Sequence, residues 1–200
     1  MDEDALRARV KAELRKRMRA IRKAATPESC AARSARIVDG LLGLPFVRDA
    51  RAVALFWPIE GRNEVDLRAL DATLRGRGLQ VAYPSIDPER GEMRMRFVED
   101  PGAMAERGRG FREPSPEIPL AVGLEVIVVP ALAVDPAGHR IGYGAGWYDR
   151  TLPVYCPPAI AVAVAYDYQV MVDIPFTERD VRTAWVVTDG RTLEAESAGG

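Results

Sequence analysis

Four short apolar runs, AVALFW (52–57), LQVAYP (79–84), VIVVPAL (126–132) and AIAVAVAY (159–166), contain almost no polar residue. A strand with one face in water alternates, whereas a strand covered on both faces need not. Between the first two runs, EVDLRALDATLRGRG (64–78) reads as a helix ending at its glycines. Strand–helix–strand alternation of this kind implies an α/β fold: a single-domain, three-layer arrangement with a mostly parallel open sheet and helices on both faces. Ligands in such folds lie beyond the carboxyl ends of the strands. The chain of 200 residues suits one domain, since chains split only beyond ~250–300 residues. Residues 1–192 are read as that domain and 193–200 as a flexible tail.

Composition removes several classes. The longest apolar run is strand-sized, well short of the ~18–20 residues of a membrane span. Two cysteines, Cys30 and Cys156, make no disulfide framework or zinc cluster, which fits a reducing cytoplasm. A single histidine, His139, argues against chemistry built on histidine pairs. Net charge is −1, against bulk affinity for nucleic acid, but residues 1–25 carry nine Lys or Arg and only four Asp or Glu. That asymmetry suggests an anion-binding arm. The acids Asp2, Glu3 and Asp4 count against a transit peptide, and scattered apolar residues count against a secretory signal.

The basic segment reads as an amphipathic helix with the stripe Leu6, Val10, Leu14, Met18 and Ile21. Thr26-Pro27-Glu28 suits the start of a second helix, which ends near Gly43 and Pro45. Met93, Met95 and Phe97 alternate with Arg94 and Arg96, the pattern of an edge or antiparallel strand. Residues 99–123 read as a long irregular loop with one turn of helix, a length that points to function. WVVT (185–188) is the last strand, with a frayed tail after it.

RIGYGAGWYDR (140–150) carries the most chemistry. Gly142, Gly144 and Gly146 alternate, and Trp147-Tyr148-Asp149 open a helix. Glycines let consecutive N–H groups face one concavity, and a helix N-terminus adds positive potential, so a phosphate fits there. Neither a Walker A loop nor a dinucleotide fingerprint is present, because no GK[ST] follows and Trp147 stands where a third spaced glycine belongs. Packing alone could also shape such a turn. Asp149 suits either a magnesium ion shared with phosphate oxygens or a first-turn helix acid.

RIGYGAGWYDR closely resembles the signature of the 5-formyltetrahydrofolate cyclo-ligase family, and the resemblance runs in order through nearly the whole chain. VKAELRKRMR (10–19), FWPIEGRNEVD (56–66), GFREP (110–114), VVPALAVDPAGHRIGYGAGWYDR (128–150) and ERDVRTAWVVTDG (178–190) are each similar to a family block. The resemblance implies an ATP- and Mg²⁺-dependent cyclisation of 5-formyltetrahydrofolate, with or without a polyglutamate tail, to 5,10-methenyltetrahydrofolate, releasing ADP and phosphate. Phosphorylation of the formyl oxygen would turn a poor leaving group into a good one, and N10 would then close the ring. Such chemistry rests on positioning and charge neutralisation more than on a nucleophilic side chain.

By the same resemblance, Lys11 and Arg15, one helical turn apart, contact ATP phosphates, and Arg140, Ile141, Gly142, Tyr143, Gly144, Ala145, Gly146, Trp147 and Tyr148 form the nucleotide loop. Arg140, Tyr148 and Asp149 are the catalytic candidates, and Asp149 and Asp180 the metal-binding acids. Trp57, Glu64, Tyr143 and Trp147 line the folate site, where a carboxylate suits the donor-rich pterin edge and flat side chains suit a flat ring. Read alone, Glu64 is a first-turn helix acid and Trp57 strand-end packing. The chain departs from the family pattern at Arg109, Tyr143, Ala145 and Arg179. The expected partners are the two substrates, with no nucleic acid, no membrane and a monomeric state. Two other readings stay open: a paralogue with the same fold and another substrate, and a nucleic-acid-binding protein using the basic helix.

Overall fold

The computed structural model describes residues 3–107 and 110–195. Its helices are α1 (Glu3–Ala24), α2 (Pro27–Gly43), α3 (Pro45–Arg48), α4 (Arg68–Gly76) and α5 (Trp147–Tyr155). The strands are β1 (Ala52–Ala54), β2 (Gln80–Asp87), β3 (Glu92–Phe97), β4 (Ala105–Glu106), β5 (Arg112–Glu113), β6 (Val126–Pro130), β7 (Ala133–Val134), β8 (Arg140–Ile141), β9 (Ile160–Val164), β10 (Trp185–Val187) and β11 (Thr192–Glu194). The main sheet has the order β11-β10-β9-β6-β1-β2-β3. Its five inner strands are parallel, and β3 and β11 close the two edges antiparallel. The expected α/β architecture with a mostly parallel sheet is what forms.

The non-alternating runs serve two cores. Val53, Val81, Val126, Val128, Val162 and Val164 point to one face, where they pack with Ile37 and Leu41 of α2 and Leu70 and Leu74 of α4. Ala52, Ala54, Ala82, Ile127, Ala161 and Ala163 point to the other, with Met93, Met95 and Leu152 of α5. Large residues thus meet the helix-rich face, and alanines meet the face that α5 covers. The alternation of Met93 and Met95 with arginines marks the edge strand β3, as its sequence suggests.

Three local expectations change. The helix begins at Arg68 rather than at Glu64, because Glu64 turns inward to accept the Ile59 N–H and Asp66 Oδ1 accepts the Arg68 N–H, 3.0 Å, in a turn. The long loop holds a 3₁₀ turn at Pro101–Ala103 and the small β4–β5 pair. The region after 190 is ordered as far as β11, which pairs with β10; residues 196–200 of the predicted tail lie outside the described residues. Thr26 does cap α2, accepting the Ser29 N–H at 3.2 Å with Pro27 next to it.

Among the parallel strands alone, the chain runs from β1 outward to β2 on one side, then from β6 to β9 and β10 on the other. The direction of winding therefore reverses between β1 and β6, and a crevice opens beyond their carboxyl ends.

A candidate active site at the sheet switch point

The crevice is a cavity of about 860 Å³, large for a small-molecule site and lined by Phe56 and Trp57 beyond β1 and by Pro130 at the end of β6. Its remaining walls come from α1, the glycine loop, the start of α5, residues 111–113 and residues 179–180. Every candidate site residue other than Ile141 lines it: Lys11, Arg15, Trp57, Glu64, Arg140, Gly142, Tyr143, Gly144, Ala145, Gly146, Trp147, Tyr148, Asp149 and Asp180. Ile141 instead packs in a small core with Met18 and Leu132.

The loop is delivered by the β7–β8 hairpin. Its turn is closed by Asp135, whose carboxylate accepts the His139 backbone N–H at 2.9 Å and contacts His139 Nδ1 at 3.0 Å. Gly138 takes a positive φ of 85° there, packed against the carbonyl of Thr183. Gly144 and Gly146 also have positive φ, 103° and 67°, and Gly146 ends the loop at the start of α5. These are backbone shapes that side chains resist, so the glycines are needed where they stand.

α1 turns a different stripe inward than its apolar periodicity suggests. Leu6, Val10 and Ile21 are exposed, whereas Leu14 and Met18 pack inward and Lys11, Arg15 and Arg22 reach the site. The reason is what lies beneath the helix: the glycine loop and the acids at the cavity mouth, with only a small apolar cluster around Met18. Arg15 Nε donates to the Gly142 carbonyl at 3.0 Å, and its guanidinium lies against Gly144. Burial lowers the Arg15 pKa, with the Arg19 charge adding to that and Asp180 and Asp149 opposing it.

Each of the two acids has its own cation. Lys11 Nζ donates to Asp180 Oδ2 at 2.5 Å, and the Thr177 N–H and hydroxyl donate to the same oxygen at 2.6 and 2.9 Å. Burial pushes Asp180 upward, but these three donors outweigh it and hold the carboxyl below the usual range. Arg140 Nη2 donates to Asp149 Oδ1 at 2.7 Å, and the Val181 N–H donates to that oxygen at 3.2 Å. Among the described residues no three metal-ligating side chains gather. A cage made by protein alone is therefore absent, while two carboxylates in one cavity suit a hard cation that arrives with phosphate oxygens.

At the other end, Glu64 is buried with both oxygens engaged: Tyr143 donates its hydroxyl at 2.6 Å and the Ile59 N–H donates at 2.7 Å. Trp57 stands edge-on to Tyr83, with ring centroids 5.9 Å apart, and the Arg112 guanidinium lies over it at 5.8 Å. Arg150 stacks on Trp147 at 4.7 Å and donates to the Ala145 carbonyl at 3.1 Å. Burial pushes the Tyr148 phenol up, so it stays protonated at neutral pH.

Sequence reasoning passed over Arg22, Arg62 and Glu113. All but Arg22 line the cavity. Glu113 sits in the recognisable GFREP segment and is buried, accepting the Ile86 N–H at 2.9 Å; desolvation raises its pKa. Arg22 and Arg62 carried no local signal, being two arginines among many. Arg179, one of the departures from the family pattern, lines the cavity, and so does Phe111. Arg109 lies outside the described residues.

The model of the 5-formyltetrahydrofolate cyclo-ligase family matches residues 7–189. The chain belongs to this family. It is 42% identical over 98 residues to the 5-formyltetrahydrofolate cyclo-ligase of Mycolicibacterium smegmatis, covering 48% of this chain and 50% of that protein. It is 28% identical over 179 residues to the cyclo-ligase of Escherichia coli, covering 86% and 97%. The NMR structure of Aquifex aeolicus 5,10-methenyltetrahydrofolate synthetase superposes with a TM-score of 0.81 at 28% identity, covering 96% of this chain and 95% of that one. The cyclo-ligase family is one of ligases, and the cavity lies at the switch point where open α/β sheets in general take their ligands.

Proposed function

We propose that the protein cyclises 5-formyltetrahydrofolate to 5,10-methenyltetrahydrofolate at the expense of ATP, releasing ADP and phosphate. One observation carries this reading within the family. A single cavity joins a phosphate-suited end, made of Lys11, Arg15 and the glycine loop, to an aromatic end with Trp57, Phe56 and the buried acceptor Glu64. A ligand pair in which a triphosphate meets a flat, donor-rich heterocycle fits both ends at once.

In this reading the loop N–H groups and the α1 cations hold the triphosphate, and Trp57 and Glu64 orient the pterin so that its formyl oxygen meets the terminal phosphorus. That oxygen attacks phosphorus and ADP leaves. N10 then adds to the activated formyl carbon and gives its proton to the departing phosphate as the carbon–oxygen bond breaks, which leaves the methenyl bridge and inorganic phosphate. Arg140 fixes Asp149 and offers positive charge next to the loop. Asp149, with Asp180 beside Lys11, would hold Mg²⁺ together with the nucleotide, and the ion would neutralise charge on the phosphates. No side chain need form a covalent bond, which agrees with a site built from arginines, carboxylates and aromatic rings.

The test is ADP release measured with each substrate withheld in turn. The reading requires release only with ATP, Mg²⁺ and 5-formyltetrahydrofolate all present. ATP turnover without the folate would assign the site to another reaction.

A further inference from the structure

The Tyr143 side chain joins three parts of the chain that are distant in sequence. Its backbone lies in the glycine loop, next to the Gly142 carbonyl that Arg15 holds. Its hydroxyl donates to Glu64 Oε1 at 2.6 Å and accepts from Arg22 Nη2 of α1. Arg22 and Glu64 are both buried, their side chains 5% and 4% exposed, and stand 3.7 Å apart with the phenol oxygen between them. The Tyr143 ring is also held by guanidinium groups of Arg62, Arg22 and Arg19 at 5.4, 5.6 and 5.9 Å.

These contacts have one direction. Desolvation, followed by the Glu64 charge, pushes the phenol up to about 12. The hydroxyl is therefore protonated at neutral pH and must give its hydrogen to the carboxylate, while the guanidinium, which has no acceptor, can only donate to the phenol oxygen. With the Ile59 N–H on Oε2, both Glu64 oxygens are fixed in place, and each keeps a lone pair for a ligand.

We infer that Tyr143, backed by Arg22, is a positioning residue: it sets the Glu64 carboxylate for the pterin and makes that carboxylate and the glycine loop one unit. The inference rests on the folate reading given above. The relay draws on an arginine of α1, so the first helix also bears on the acid beyond β1. A tyrosine that touches only the loop would have no reason to hold a buried acid.

The test is the dissociation constant for 5-formyltetrahydrofolate, read from tryptophan fluorescence, in wild type, Tyr143→Phe, Glu64→Gln and the double variant, with melting temperatures for all four. Phenylalanine keeps the ring among its guanidiniums and removes only the hydroxyl. Losing one charge-assisted hydrogen bond predicts about tenfold weaker binding. In the Glu64→Gln background the same change should cost less than about twofold, because the amide oxygen still accepts the hydroxyl but the bond is no longer charge-assisted. Arg22→Lys, which leaves the phenol in place, should weaken binding by about threefold and likewise lose its effect beside Glu64→Gln. The inference is overturned if Tyr143→Phe binds within twofold of wild type, or if it costs as much in the Glu64→Gln background as in the wild-type one. A merely structural tyrosine would lower the melting temperature and leave the coupling at zero. A wild-type protein that does not bind the folate at all removes the functional reading, and the relay with it.

Discussion

Arg140 and Asp149 are nine residues apart in the chain and 2.7 Å apart in space, with the whole glycine loop closed between them. The pair has two jobs in one bond. It balances a buried guanidinium, 4% exposed, and it aims a carboxylate into the cavity.

Asp149→Asn tests the second job. The amide keeps an acceptor for Arg140 and the Val181 N–H but removes the charge, so a stability loss of about 1–3 kcal/mol is expected. Turnover should fall by at least about a hundredfold, because phosphate charge is then poorly neutralised during transfer. Partial rescue by raised Mg²⁺ or Mn²⁺ is expected. Steady-state rates across a metal titration, beside a thermal melt, give the answer; normal turnover at scarce metal would leave Asp149 as the partner of Arg140 alone.

Lys11→Ala should raise the KM for ATP by about tenfold, the usual scale for a lost charge-assisted contact, with little change in the KM for the folate. Asp180 keeps its two Thr177 donors in that variant, so the loop should hold. Equal losses for both substrates would mean that Lys11 shapes the cavity instead of binding phosphate.

Two glycines separate folding from ligand approach. A Cβ at Gly138 would strike the Thr183 carbonyl at a φ of 85°, so Gly138→Ala should destabilise by more than about 2 kcal/mol. At Gly142 a Cβ meets nothing within 4 Å and the backbone is not left-handed. Gly142→Ala should therefore melt near wild type yet bind ATP more weakly, if phosphate approaches that backbone. Normal ATP binding would move the phosphates away from residue 142.

Asp180 also gives a pH dependence with a definite sign. Its folded pKa lies below that of the unfolded chain, so its stabilisation is complete above the ordinary carboxylate value near ~4 and is lost as pH falls through the folded value. Asp167 acts the same way, held down first by Arg191. Denaturant midpoints measured from pH 6 downward should decline less steeply for Asp180→Asn than for wild type. Parallel curves would show that the Lys11–Asp180 bond adds nothing to folding.

Much of this could be read in the chain. Runs such as VIVVP and IAVAV announce strands buried on both faces, and the reversal between β1 and β6 then gives the place of the cavity. The glycine loop was legible because φ angles of 103° and 67°, at Gly144 and Gly146, leave a residue type as their trace. Glu64 was legible by resemblance alone: its local chemistry suggests a helix cap, and only the Tyr143 and Ile59 contacts reveal a buried acceptor. α1 misled for a physical reason, since a helix lying over Asp180, the Gly142 carbonyl and the Tyr143 hydroxyl turns Lys11, Arg15 and Arg22 inward, and the hydrophobic period does not register that. Arg22 carries no signal in sequence; its role exists only once residues 64 and 143 are brought beside it.

The most direct test of the cyclo-ligase reading is the stoichiometry of the two products. Methenyl absorbance and ADP are followed together after mixing the protein with ATP, Mg²⁺ and 5-formyltetrahydrofolate. The account predicts that both rise at one rate, one ADP for each methenyltetrahydrofolate formed, and that neither appears when a substrate is withheld. ADP without methenyl product, or methenyl product without ADP, would contradict it.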